Sequence, residues 1–509
     1  MISRRALLAG AMSLGLPVSR AWAEPLKITE QGLVERAERL GRAPYQPASR
    51  ELVAPFDTLD YDRYRGVRPR PGRAGALALG DSFRADLLPP GWLFADPVQI
   101  ALPGHQIRFA HDLFDFDPRL ITLPEVLPDP QGMGFSGLRL MTPLNSADVW
   151  DEVLVLQGAS YFRALAQGTV YGLSARGLAL GTGGPGPEEF PITREIHVFE
   201  AGEWLHFGCL IDSPRAAAAL IATLEPGAPT RMRCALHLFP REDIADAGIA
   251  PLTSMFQHNA MGPARIDDFR PAVHDSDVLV IDNGAGERLW RSLANPAQVQ
   301  MSAFQDVTPR GFGLLQSATA FAAFRDAEAA YHRRPSAWVR PLGDWGAGAV
   351  MLLEIPTHDE FADNIVAFWR PAEPLGPGAH RFDYELDWLP PGADRLPSAT
   401  YPLTPYHAGS GVEPNARAGR LFVLDFAAAG DLPDGEITPD VNATGDVQVE
   451  GVALYPVQEA GNVLRLSFIL TPQESAQSAE LRVVLRNLAG AALSPVWLYR
   501  WTRAAGGGV

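Results

Sequence analysis

Three carboxylates, Asp359, Glu360 and Asp363, fall within five residues of one another, and the run that follows ends in Phe368-Trp369. Carboxylates donate and accept protons, and aromatic rings stack on the apolar faces of pyranose units, so this grouping suits a cleft that cleaves sugars. The competing reading is a solvated acidic turn leading into a buried strand. Asp275, within His274-Asp275-Ser276, offers a second carboxylate far along the chain, suited to an opposing wall or to a simple turn anchor, with His274 beside it a candidate sugar contact. Tyr161, Arg163, Tyr171 and Arg176 add rings and fork-shaped donors that match neutral hydroxyls, or else a packed core with a buried ion pair. Trp345, framed by Gly343 and Gly346, reads as an aromatic platform on a tight loop, and Glu188-Glu189-Phe190-Pro191 as a cleft lining or a loop cap.

The elements that must position these residues are overwhelmingly strands. Short β-rich or alternating runs recur at 153–156, 196–199, 278–281, 350–355 and 364–368, and 45 prolines and 48 glycines punctuate the chain too often for a helical or doubly wound fold. Helix signals are confined to 29–40, 213–220 and an amphipathic stretch at 318–332. A boundary is expected between 389 and 418. Beyond it, strands at 421–426, 447–452, 463–470 and 481–485 have the spacing of a small β-sandwich. The expected organisation is therefore a large β domain over 24–395, with a long curved double sheet and an open groove, followed by a linker and sandwich over 396–509.

The N-terminus carries Ser3-Arg4-Arg5, an apolar stretch through Leu16 and Ala21-Trp22-Ala23, which reads as a twin-arginine-type export signal over 1–23, cleaved near Ala23. A retained N-terminal anchor is the alternative. Removing 1–23 takes away Arg4, Arg5 and Arg20 and no acid, leaving 40 basic against 59 acidic residues, a net of −19. Such a surface repels nucleic acid and suits a neutral or cationic ligand. The only lysine is Lys27, which excludes a Walker A lysine, a pyridoxal-phosphate Schiff base or a catalytic lysine deep in the fold. No Cys/His grouping has zinc spacing, so no metal and no cofactor is expected. Cys209 and Cys234 sit in strand-like runs, either bridged across neighbouring strands or buried as free thiols.

Taken in order, Gly158-Ala159-Ser160-Tyr161-Phe162-Arg163-Ala164, Val170-Tyr171-Gly172-Leu173-Ser174-Ala175-Arg176-Gly177, Val273-His274-Asp275-Ser276, Arg334-Pro335-Ser336-Ala337-Trp338, Gly343-Asp344-Trp345-Gly346 and Asp363-Asn364-Ile365-Val366-Ala367-Phe368-Trp369 resemble the periplasmic glucan biosynthesis protein G/D family. The motifs span almost the whole large domain, while the C-terminal part matches only in pattern. The resemblance implies a galactose-mutarotase-like sandwich with a cleft, an immunoglobulin-like domain, and work on β-1,2-linked glucan in the periplasm. It implies inverting endo-hydrolysis with Asp363 as general acid, Asp275 as general base, and proton transfer relayed through hydroxyls and waters. Inversion expects the two carboxyls roughly 6.5–9.5 Å apart on different segments. The acid should be kept protonated by surroundings such as Ile365, Phe368 or Glu360.

Glu360 is counted as a third catalytic residue, and Phe361-Ala362 and Asp277 depart from the family pattern, the latter adding a carboxylate that can perturb Asp275. Some relatives transfer the cleaved end to a sugar hydroxyl, so a cyclising or re-linking transglycosylase is an alternative, as is a non-catalytic glucan-binding assembly factor. A mutarotase-like epimerase expects a His–Glu arrangement not assignable here. The leader favours the D-type branch. A membrane glucan synthase is a conceivable partner, and the protein a monomer or homodimer.

Overall fold

The computed structural model describes residues 28–262, 267–392, 396, 401–412 and 419–503, so the leader lies outside the described residues. The fold is all-β, with 48% strand and 7% helix.

Two large sheets face each other. One runs Leu77–Leu79, Phe83–Leu88, Gly137–Thr142, Asp151–Gln157, Tyr161–Ala164, Ser174–Arg176, Ala247–Ser254, Ile365–Pro371, Ala347–Glu354 and Gln300–Val307, with Ala179–Leu180 as an eleventh strand beside Ala247–Ser254. The other has thirteen strands. Its large-domain part runs from Arg288–Ser292 through Val278–Asp282, Gly311–Leu315, Ser336–Leu342, His380–Leu389, Thr230–Pro240, Ala216–Glu225, Leu205–Asp212 and Ile192–Ala201 to Gln99–Ala101.

Alternation explains the packing. Leu140, Leu154, Phe162, Ala175, Leu252, Leu352 and Ala367 point from the eleven-stranded sheet into one core, where they meet Leu220, Leu236, Leu279, Phe312, Val339 and Leu386 of the other. The opposite face of the eleven-stranded sheet is left for chemistry. Register puts Asp86 opposite Arg139, Arg139 opposite Val155, and Val155 opposite Arg163, with Tyr161 opposite Arg176. Farther along that face Met351, Leu353, Val366 and Phe368 form a separate apolar cluster.

The expected helix at the start is present as Glu30–Arg42, capped by Thr29, whose hydroxyl accepts the Gly32 N–H at 3.1 Å. Leu33 and Ala37 bury it on the outside of the thirteen-stranded sheet, against Leu210, Ala219, Ile221 and Phe239.

That docking overturns the helix expected at 213–220, which is the start of strand Ala216–Glu225. Ala218, Leu220, Ala222 and Leu224 of this strand face the main core, while Ala219 and Ile221 lie beneath the helix. Small residues are needed because both faces are covered, and this tertiary demand outweighs the helical preference of alanine.

The same strand decides between the two cysteine readings in favour of buried free thiols. Cys209 and Cys234 sit on strands that both pair with Ala216–Glu225, so they are not on neighbours. Both are free, buried thiols pushed up to about 12 by burial.

The amphipathic stretch at 318–332 is also not one helix. It holds a single turn, Phe321–Phe324, and a 3-10 turn, Tyr331–Arg333, separated where Arg325 and Ala330 take left-handed φ of 55° and 49°.

At the C-terminal end, Leu403–Val412, Arg420–Ala428, Val463–Pro472 and Val447–Pro456 form a four-stranded sheet in that order. The remaining strands, Ile437–Ala443, Ser478–Asn487 and Val496–Thr502, extend the thirteen-stranded sheet, through parallel pairing of Leu289, Trp290 and Arg291 with Val496, Trp497 and Leu498. A second core lies between them, built on Phe422, Leu424, Phe426, Leu466, Phe468, Val483 and Trp497. Strand Val278–Asp282 serves both cores, Leu279 and Ile281 on one side and Val278 and Val280 on the other. A strand buried on both faces reads as the continuous apolar run seen in its sequence.

Candidate active site

Asp363 lies just before strand Ile365–Pro371, at the end of a loop held down by amide side chains. Asn295 donates to the carbonyls of Gln257 and Thr357 and accepts the Thr357 N–H, while Gln257 donates to the carbonyl of His358. Asn364 is 1% exposed, accepts the Phe256 N–H at 2.8 Å, and donates to the carbonyls of Phe256 and Ile355, each at 2.9 Å.

Phe256 is in turn the register partner of His274, and the Asp275 N–H donates to the carbonyl of Met255 at 2.8 Å. The two candidate catalytic carboxylates thus adjoin, in sequence, Asn364 and His274, each of which is tied to Phe256. Sequence separation hides this proximity.

Asp275 is buried and ion-paired with Arg334. Burial pushes its carboxyl up to about 6; Arg334 opposes that rise and the charge of Asp363 reinforces it. Arg163 stands 3.6 Å from Asp363, and its positive charge reaches Asp275 as well. One guanidinium on the open sheet face therefore serves both acids. The residues expected to surround the acid, Ile365, Phe368 and Glu360, are engaged elsewhere. Ile365 points into the main core and Phe368 into the separate apolar cluster. Glu360 is occupied by Arg270 at 2.6 Å and by the Tyr331 hydroxyl at 2.9 Å.

Tyr331 and Arg334 were not singled out from the sequence, and both belong to the site. The Arg334 guanidinium lies 4.3 Å from the Tyr331 ring centre, so a continuous path runs Asp275, Arg334, Tyr331, Glu360, Arg270. Arg270 is further fixed by Asp268 at 2.7 Å and Asp326 at 2.9 Å. The signal for Arg334 was its place in Arg-Pro-Ser-Ala-Trp; Tyr331 was hidden inside the stretch read as a helix.

Tyr161 lies beside this centre. Its phenol is pushed up to about 12 by burial, with Arg176 opposing and the Glu188 and Asp363 charges adding to the rise. Arg176 sits 4.5 Å from the Tyr161 ring centre, donates to Thr253 Oγ1 at 3.0 Å, and pairs with Glu188 at 2.5 Å. It is only 6% exposed, so it props Tyr161 from below. Tyr171, whose hydroxyl is raised by burial and by Glu152, stands near Arg139 and Arg163. Arg139 pairs with both Asp86 and Glu152, at 2.5 and 2.6 Å.

Three residues selected from the sequence stand apart from this grouping. Trp345 is 6% exposed in the main core, packed on Trp369, Phe382 and Tyr384, with its ring N–H donated to the Asp383 carbonyl. Its loop is tight, with Gly343 and Gly346 at φ of 84° and 71°, but the loop folds the indole inward. His274 is 2% exposed, between Phe256 and Phe324, and burial lowers its pKa. Glu189 accepts the backbone N–H of Arg215, and it is Glu188 that faces Arg176. Asp277 accepts from the backbone and hydroxyl of Ser317, which ties its carboxylate into a separate turn.

Among the described residues, no helix is long and apolar enough to cross a membrane. The family model for the periplasmic glucan biosynthesis protein MdoG matches residues 29–501. The chain is 42% identical over 478 residues to Glucans biosynthesis protein G of Vibrio cholerae serotype O1, covering 92% of this chain and 86% of that protein. It is 40% identical over 504 residues to the protein of the same name from Shewanella frigidimarina, covering 98% and 89%.

Proposed function

Because this chain belongs to the MdoG family of periplasmic glucan biosynthesis proteins, we propose that it cleaves a β-1,2-linked glucan internally and with inversion, at the centre built on Asp275 and Asp363. The observation that carries the reading is the pair itself: two carboxylates from distant segments, each within the field of the other and both reached by Arg163.

In the proposed reaction, Asp363 gives its proton to the glycosidic oxygen as the bond to the anomeric carbon breaks. Water attacks that carbon from the opposite face and its proton passes to Asp275, directly or through intervening hydroxyls. A base titrating near 6 is ionised at neutral pH yet basic enough to accept a proton in the transition state. Asp363 is partly exposed on the open face beside Arg163, where a sugar ring can be laid against it. Tyr161, held protonated, and Arg163 supply donors to sugar hydroxyls on the same open face. Glu360 and Tyr331 act through Arg334 on the setting of Asp275. The family's periplasmic setting agrees with cleavage of the leader near Ala23, which belongs to the same proposal.

The test incubates the purified protein with linear β-1,2-glucan and resolves products by size and linkage, beside Asp363→Asn. Shorter linear chains from the parent alone support the proposal. Cyclic or newly linked products replace hydrolysis with transfer at the same centre, and intact glucan from both proteins leaves binding without cleavage.

A further inference from the structure

The four-stranded C-terminal sheet turns Leu424, Phe426, Leu464, Leu466 and Phe468 inward, so the alternate residues face outward. Across that outer face, register aligns Tyr455 with Arg465, Arg465 with Asp425, and Asp425 with His407. A bulge between Pro405 and His407 inserts Tyr406 as an extra residue, and both Tyr406 and His407 are exposed. Tyr406 and Tyr455 are 42% and 45% exposed, and both phenols act on the guanidinium of Arg465. Arg465 grips Asp425 with two bonds of 2.7 and 2.8 Å. The next row along the strands is Ala453, Ser467, Val423 and Gly409; Ala260 lies over Gly409, and the short Ala453 and Ser467 leave the Tyr455–Arg465 side open.

Two exposed phenols at the two edges of a four-stranded sheet are separated by three interstrand spacings, roughly 14 Å. That span suits several consecutive sugar units, not one small molecule. The charges between them cancel within the Arg465–Asp425 pair, which removes the attraction an ionic ligand needs and leaves donors and ring faces for a neutral polyhydroxyl chain. We propose that Tyr406, Arg465 and Tyr455 form a glucan-holding surface separate from the Asp275–Asp363 centre, engaged by long chains only. The identity of the chain as a β-1,2-glucan rests on the function proposed above.

The test uses the full-length protein and its Tyr406→Ala/Tyr455→Ala variant, with linear β-1,2-glucan as a long polymer and as short oligomers. Retardation in glucan-containing gels reads binding, and product analysis reads cleavage. The expected result is about tenfold weaker retention by the long polymer, the size of two lost ring contacts, with cleavage of short oligomers and melting temperature unchanged. Undiminished retention of the variant overturns the surface, and continued cleavage then leaves the catalytic proposal standing. A parent that is retained but cleaves nothing defeats the catalytic proposal alone, and weaker retention of the variant still upholds the surface. A parent that neither binds nor cleaves the glucan overturns both.

Discussion

The side-chain amide of Asn364 grips the backbone of Phe256 from both directions, taking its N–H at 2.8 Å and giving to its carbonyl at 2.9 Å. Phe256 pairs with His274, so this grip fixes where Asp363 stands relative to Asp275. Asn364→Ala leaves buried backbone groups unpaired, which costs about 1–3 kcal/mol each. Chemical denaturation should show a loss of that order, and glucan cleavage should fall by more than the unfolded fraction explains, with kcat affected more than KM.

Asp363→Asn and Asp275→Asn each remove a proton-transfer group. A loss of roughly 10²–10⁴-fold in kcat is expected for either, with circular dichroism unchanged. Activity of Asp275→Asn near the parent level would exclude it as the base.

The raised carboxyl of Asp275 gives a signed pH dependence. The base works ionised, so the acidic limb of the rate profile should rise through about 6. Arg334 holds that value down, and Arg334→Met should therefore move the limb to higher pH. An unmoved limb in this variant would separate it from Asp275. Stability follows the same group. Its ordinary value is 3.8, so between there and about 6 the folded chain binds the extra proton, and its contribution to stability declines as pH rises across that window. Asp275→Asn should lack that decline in denaturation curves taken from pH 4 to 7.

Glu354 and Arg291 form an ion pair at 3.0 Å with exposures of 0% and 2%, and Glu354 also accepts the Ala294 N–H. Arg291→Met strands the carboxylate and should destabilise the fold by about 3–5 kcal/mol in urea titration. Converting both residues to apolar ones of similar size should cost less than the single change.

The thiols of Cys209 and Cys234 should stay unreactive toward a thiol reagent until the protein is unfolded, and reductant should leave the melting temperature unchanged.

The strands were legible because strand periodicity is local: the runs at 153–156, 278–281 and 463–470 all fall within strands of the fold. The failures at 213–220 and 318–332 share one cause. Alanine-rich and mixed stretches take their shape from what covers them, the Glu30–Arg42 helix in the first case and the ring and guanidinium packing around Tyr331 in the second. The candidate centre divides the same way. Asp275 and Asp363 were read from residues near them in the sequence, whereas Arg334 and Tyr331 join them through contacts no spacing rule encodes. Trp345 shows the reverse error: two glycines announce a tight turn but not which way its indole swings.

The parallel pairing of Leu289–Arg291 with Val496–Leu498 has a temporal consequence. A ribosome delivers the first of these strands long before the last, and until the last arrives the hydrogen-bonding edge of Arg288–Ser292 has no mate. The sheet behind the candidate centre is therefore completed by a strand made long after its partner. Closing so long a loop is entropically slow, so the unfinished chain presents a bare edge for much of its synthesis.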